Sequence, residues 1–128
     1  MELESPGCQL KKVLFVDDES MLVTLGDAML GALGYEPAAF ARAEEAIAAF
    51  RANPEAYAAA FTDVTMPVMS GFDVARELLT IRRNLPVFMM SGNVDHDDEL
   101  RARELGVREI VLKPLSMSQL RDMLARVA

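Results

Sequence analysis

The sequence has no tryptophan, one histidine and one cysteine. A lone Cys8 excludes an intramolecular disulfide framework and a cysteine-based zinc site. Basic residues are also scarce: 13 Lys and Arg stand against 20 Asp and Glu, a formal net charge of -7. Phosphate contacts need clustered Lys and Arg, so neither direct nucleic-acid binding nor docking on an anionic membrane is expected. Long apolar runs are missing as well. Stretches such as Ala56-Tyr57-Ala58-Ala59-Ala60-Phe61 fall far short of the ~20 residues that a spanning helix needs. The start, Met-Glu-Leu-Glu-Ser-Pro-Gly, lacks the basic and apolar regions of a secretory signal, which points to the cytoplasm. The chemistry left to the chain is that of oxygen ligands, hydroxyls and lysine.

What is present is one domain's worth of chain: 128 residues, 52% hydrophobic and 26% charged. That length can bury one real core without staples. Residues 1–10 read as a disordered leader or cloning remnant, and residues 11–128 as the domain. Within it, short apolar runs alternate with helical periodicity. Val13-Leu14-Phe15-Val16 has the continuous apolar character of a strand buried on both faces. A helix is predicted over Glu19–Leu33, with Leu22, Leu25, Met29 and Leu33 near one face and Gly26 and Gly31 weakening it. Tyr35–Phe40 reads as a strand. Pro37 lacks an N–H for a ladder and so places it at a sheet edge. Ala43–Arg51 is helical, Ala58–Thr62 a strand poor in bulky side chains, and Phe72–Arg83 helical. Pro86–Met90 is a strand covered on both faces, since Met89 and Met90 point to opposite sides. Asp95–Leu105 is a charged helix with Leu100 and Leu105 as its large apolar anchors. Glu109–Leu112 is a fifth strand. A last helix runs to Val127, opened by a capping box of Ser116 and Gln119 and packed through Leu120, Met123 and Leu124.

A strand–helix pair repeated five times predicts an α/β fold: a parallel sheet with helices on both faces. Ligands of such sheets sit beyond the carboxyl ends of the strands. At those ends stand Asp17-Asp18-Glu19, Asp63, Ser91-Gly92 and Lys113-Pro114. A lone Asp at a strand end commonly begins an Asx turn, but chance does not readily gather carboxylates, a hydroxyl and an ammonium on one rim. Clustered carboxylates raise one another's pKa and need a cation. Hard oxygen donors without Cys or a nearby His point to Mg²⁺, with Mn²⁺ as an alternative. A carboxylate between a divalent metal and a lysine is well placed to become a nucleophile toward phosphorus.

These motifs, with Thr62-Asp63-Val64-Thr65-Met66-Pro67 and Leu112-Lys113-Pro114 among them, together resemble the receiver domain of two-component response regulators over about residues 11–128. The resemblance implies a five-stranded flavodoxin-like sheet in the order 2-1-3-4-5. It implies Asp63 as phosphoacceptor, Asp17, Asp18, Asp63 and the Thr65 carbonyl around Mg²⁺, and Ser91 and Lys113 on the phosphoryl oxygens. It implies a cis bond before Pro114, and rate tuning by Thr65 and Asn93. The implied donor is a sensor histidine kinase or histidine phosphotransfer protein. The implied output surface is helix 4, strand 5 and helix 5, with switching through Ser91, Asn93 and the position of Ile110. The chain would then be a regulator, not a stand-alone enzyme, with its downstream protein partner and any homodimer left open. Ile110 stands where the family often has an aromatic residue, so the usual aromatic coupling is not expected, and backbone shifts of Ser91-Gly92-Asn93 would replace it. The charged helix reads either as a solvated face or as part of the output surface, with His96 a bystander. The receiver segment of a hybrid histidine kinase fits the motifs as well as a free-standing regulator does. Three rivals compete. An FMN carrier suffers from Asp17-Asp18-Glu19 repelling the FMN phosphate. An aspartyl phosphatase would need an acid at position 65. A pseudo-receiver would lack one of the acidic, hydroxyl or lysine residues that are all present here.

Overall fold

A computed structural model of the chain describes residues 11–127; the leader expected over residues 1–10 lies outside the described residues. Strands β1 (Lys12–Val16), β2 (Glu36–Phe40), β3 (Tyr57–Asp63), β4 (Val87–Ser91) and β5 (Glu109–Leu112) alternate with five helices. These are α1 (Ser20–Ala32), α2 (Ala43–Ala52), α3 (Gly71–Ile81), α4 (His96–Leu105) and α5 (Met117–Val127), with a 3-10 turn over Pro54–Ala56. Every pairing is parallel and the order is β2-β1-β3-β4-β5. This is the expected α/β arrangement, and strand order reverses between β1 and β3, where a ligand crevice opens.

β2 is an edge strand, as Pro37 requires. Glu36 N–H donates to the Lys11 carbonyl and the Phe40 carbonyl accepts from Asp17 N–H. Even-numbered positions therefore bond to β1, and Pro37, of opposite parity, faces the open edge where no N–H is needed. The two sheet faces carry separate cores. Leu14, Val16, Ala60, Val87 and Met89 pack with α2, α3 and α4 residues such as Ile47, Phe50, Leu78 and Ala102. Val13, Phe15, Phe61, Phe88 and Met90 pack with α1 and α5 residues such as Leu30, Leu120, Met123 and Leu124. Met89 and Met90 thus fill opposite faces, both buried. Phe61 and Phe88 stack with ring centroids 4.9 Å apart.

Three local expectations are corrected. On α1, Leu25 is 45% exposed, and the buried positions are Gly26 and Leu30. A Cβ at Gly26 would lie 2.6 Å from the Phe15 ring, so this glycine is the contact point of α1 with β1 rather than a mere weakness. On α4, Leu100 is 41% exposed and Ala102 is the buried anchor. Leu105 lies partly buried against the core, and the Arg101 guanidinium sits 4.2 Å from the Phe72 ring centroid. Helix α3 stops at Ile81, before Arg83. Arg82 takes an extended conformation there, and its Nη1 donates to the carbonyls of Pro54 and Tyr57 at 2.9 and 2.7 Å.

Candidate functional site

The carboxyl ends of β1, β3, β4 and β5 bring the sequence-selected residues to one open cleft of about 610 Å³. Its lining includes Asp18, Glu19, Asp63, Thr65, Ser91, Asn93 and Lys113. Each is placed by strand arithmetic: Asp63 and Ser91 are the last residues of buried strands, and Asp17 follows β1 directly. Asp17, Asp63 and Ser91 are buried, whereas Asp18 and Glu19 are exposed.

Lys113 bridges the acidic side chains. Its Nζ lies 3.1 Å from Asp17 Oδ2, 3.1 Å from Glu19 Oε1 and 3.3 Å from Asp63 Oδ2. Burial opposes its charge, but its contacts with Asp17 and Glu19 and the charges of Asp17 and Asp63 hold its pKa above the ordinary lysine value. The Asp63 pKa is raised too, which for a carboxylate disfavours the charged form. Burial, then the charge of Asp17, pushes its pKa from 3.8 up to about 6, and Lys113 offsets only part of that rise.

The donor set fits a hard divalent cation. Asp17, Asp18 and Asp63 each offer an oxygen, and the three lie within 4.8 Å of one another. Asp17 Oδ1 accepts from the Glu19 N–H at 3.0 Å, while the buried Asp17 Oδ2 has no hydrogen-bond partner among the described residues. Lys113 is close to that oxygen but out of hydrogen-bond alignment. A buried carboxylate oxygen without a donor is costly unless something else meets it, and an all-oxygen cluster suits Mg²⁺ or Mn²⁺.

The Ser91 hydroxyl is engaged by Asn93: it donates to the Asn93 carbonyl at 2.8 Å and accepts from the Asn93 N–H at 3.1 Å. The bond between Lys113 and Pro114 is cis. Ile110 lies outside the cleft, half-buried against the α2–α3–α4 core. It lines a separate groove with Glu99, Ala102, Arg103 and Val107. Ser70-Gly71 reads in the sequence as a loop marker, and the structure adds a contact that the sequence does not report. Gly71 begins α3 against the backbone of Asp63: its N–H donates to the Val64 carbonyl at 2.7 Å, and a Cβ there would collide with the Asp63 carbonyl. The Ser70-x-x-Asp73 spacing, a closed capping box in the structure, was the signal that a helix starts at this point.

A family model described as the response regulator receiver domain matches residues 13–125. A probable transcriptional regulator, ycf27 of Cyanophora paradoxa, is 34% identical over 110 residues, covering 86% of this chain and 45% of that protein. The chain spans about half the length of the curated relatives it matches first. Among solved structures, a response regulator receiver domain protein from Clostridium thermocellum superposes with a TM-score of 0.87 at 28% identity, over 92% of this chain and 94% of that one. The receiver domain of the sensor histidine kinase PA1611 from Pseudomonas aeruginosa, solved with magnesium in its active-site cleft, gives a TM-score of 0.81 at 25% identity, over 93% and 98%.

Proposed function

The chain belongs to the response regulator receiver domain family, and from that membership we propose that Asp63 accepts a phosphoryl group from a phosphohistidine on a partner protein. Receiver domains are regulatory modules rather than stand-alone enzymes. The observation that carries the proposal is the buried Asp63 carboxylate held 3.3 Å from the Lys113 ammonium and clustered with Asp17 and Asp18. An Asp63 oxygen attacks phosphorus. The P–N bond breaks, and its electron pair returns to an imidazole protonated on its other nitrogen, which leaves neutral. Lys113 meets the charge on the transferred oxygens, and the Ser91 hydroxyl leaves Asn93 to donate to one of them. Asp17, Asp18, Asp63 and the Thr65 carbonyl would hold Mg²⁺, or Mn²⁺ in its place, which when bound neutralises charge on the phosphoryl group. Water attack on phosphorus later restores the carboxylate, at a rate tuned by Thr65 and Asn93.

The donor is a sensor histidine kinase or histidine phosphotransfer protein in the cytoplasm. The output is a change in the α4–β5–α5 surface, carried by the Ser91-Gly92-Asn93 segment with Ile110 in place of an aromatic switch. No helix among the described residues is long and apolar enough to cross a membrane. Both a transcriptional regulator and a hybrid kinase are compatible parents, and self-association through α4 and α5 is compatible with either.

The test is the intact mass of the 128-residue chain after incubation with acetyl phosphate and Mg²⁺. The expected result is a gain of one phosphoryl group that disappears in Asp63→Asn and in chelator. Mg²⁺ binding without any gain, from acetyl phosphate or from histidine phosphotransfer proteins, would overturn the proposal in favour of a pseudo-receiver.

A further inference from the structure

Glu19 occupies an odd position. It is the N-cap residue of α1, yet its side chain makes no capping hydrogen bond to that helix. Instead its Oε1 accepts from Lys113 Nζ at 3.1 Å, across 94 residues of sequence. The Glu19 side chain is 62% exposed, against 16% for Lys113 and 6% for Asp63. The lysine is therefore held between two buried carboxylates below and one solvent-facing carboxylate at the cleft mouth. Its distance to Glu19 is shorter than its distance to Asp63, 3.1 against 3.3 Å.

Taking Asp63 as the phosphoacceptor, the reading on which this inference rests, we propose that Glu19 is a positioning residue. It retains Lys113 at the mouth of the cleft in the unmodified protein and competes for it with an arriving phosphoryl group. An ammonium has three protons to donate. In the resting geometry the ammonium lies 3.1–3.3 Å from Asp17, Glu19 and Asp63, and the aligned hydrogen bond goes to Glu19, so Lys113 can turn to a phosphoryl oxygen only by giving up that bond. Glu19 is the contact that can yield, because its carboxylate is already in water and loses little on release, whereas Asp17 and Asp63 are buried. Glu19 would thus set how readily the domain enters its phosphorylated arrangement without touching phosphorus itself.

The experiment compares Glu19→Gln with Asp98→Asn, which removes a like charge from the lining of the same cleft without contacting Lys113. Two readouts are taken on the full chain: the affinity for beryllium fluoride at saturating Mg²⁺, and the acylation rate of Lys113 without metal. Lys11 and Lys12, the other two lysines, serve as internal references by peptide mass spectrometry. Glu19→Gln is expected to tighten beryllium fluoride binding about two- to fivefold, the scale of a partly exposed ion pair. It is also expected to speed Lys113 acylation relative to Lys11, and Asp98→Asn to do neither. Unchanged or weaker binding in Glu19→Gln, an equal gain in Asp98→Asn, or unchanged Lys113 acylation would overturn the role of Glu19. Failure of the wild-type chain to bind beryllium fluoride would instead overturn Asp63 as phosphoacceptor, and lysine acylation would still decide whether Glu19 retains Lys113.

Discussion

At the scale of single residues, Asp63 stores unfavourable charge. Its pKa of about 6 lies above the ordinary 3.8, because burial and Asp17 penalise the ionised form more than Lys113 favours it. The sign follows from proton linkage. Between those two values the folded state holds a proton that the unfolded chain has lost, so this group's contribution to stability is present at low pH and is lost as pH rises through 6. Replacing Asp63 by Asn should therefore stabilise the metal-free protein by about 1–3 kcal/mol at pH 7.5, the lower end allowing for solvent screening at the open cleft. Urea denaturation of both proteins checks this, and the gain should shrink to about a third by pH 4.5 and vanish below about pH 3. An Asp63→Asn variant that is less stable than wild type at pH 7.5 would mean that Lys113 already neutralises the site. Lys113→Met runs the opposite way: it leaves two buried carboxylates without their cation, at a cost of about 3 kcal/mol, read in the same denaturation series.

At the scale of elements, the helices are not held equally. Helix α3 buries Phe72, Val74, Ala75 and Leu78, whereas α4 buries only Ala102. Amide exchange should accordingly be faster throughout α4 than in α3, since local opening costs less where little apolar surface is covered; equal protection would count against α4 as the element that moves. Helix α1 makes the reverse point about glycine. In an open helix, Gly26→Ala would add about 1 kcal/mol of stability, but here the new methyl would stand 2.6 Å from the Phe15 ring. The expected outcome is a loss of about 1–3 kcal/mol from overpacking, measured by chemical denaturation. This is where sequence reading runs short. Strand and helix order, the Pro37 edge and the two faces of β4 were legible because periodicity and missing N–H groups report on an element itself. That Gly26 rather than Leu25 turns inward depends on a Phe side chain eleven residues earlier, and that α3 ends at Ile81 depends on carbonyls that Arg82 finds at Pro54 and Tyr57. Contacts between elements leave no period in the chain.

At the scale of the whole molecule, the site is where the two halves of the sheet meet. Asp17 follows β1, Asp63 ends β3, Ser91 ends β4 and Lys113 follows β5, so the site exists only when β1, β3, β4 and β5 lie side by side in the sheet. The cluster was legible in the sequence because every member sits at a strand end, where topology alone brings residues together. The partnership of Glu19 with Lys113 was not, because it depends on where one exposed side chain points. A site assembled from four strands ties ligand binding to global folding rather than to a local loop. Mg²⁺ bound by Asp17, Asp18 and Asp63 should therefore raise the stability of the entire domain, by about 2.7 kcal/mol when the ion is at 100 times its dissociation constant. The increment should show as one cooperative transition shifted to higher temperature, since both cores share the same five strands. Asp17→Asn should abolish most of the shift, as Asp17 Oδ2 is the buried oxygen without a hydrogen-bond partner among the described residues. It should also relieve part of the charge that raises the Asp63 pKa, so the metal-free variant is expected to unfold no earlier than wild type. Calorimetric scans with Mg²⁺ and with chelator separate the two effects. A full Mg²⁺ shift retained in Asp17→Asn would place the ion elsewhere on the acidic rim, and a shift confined to part of the transition would mean that the strands bearing the site unfold apart from the rest.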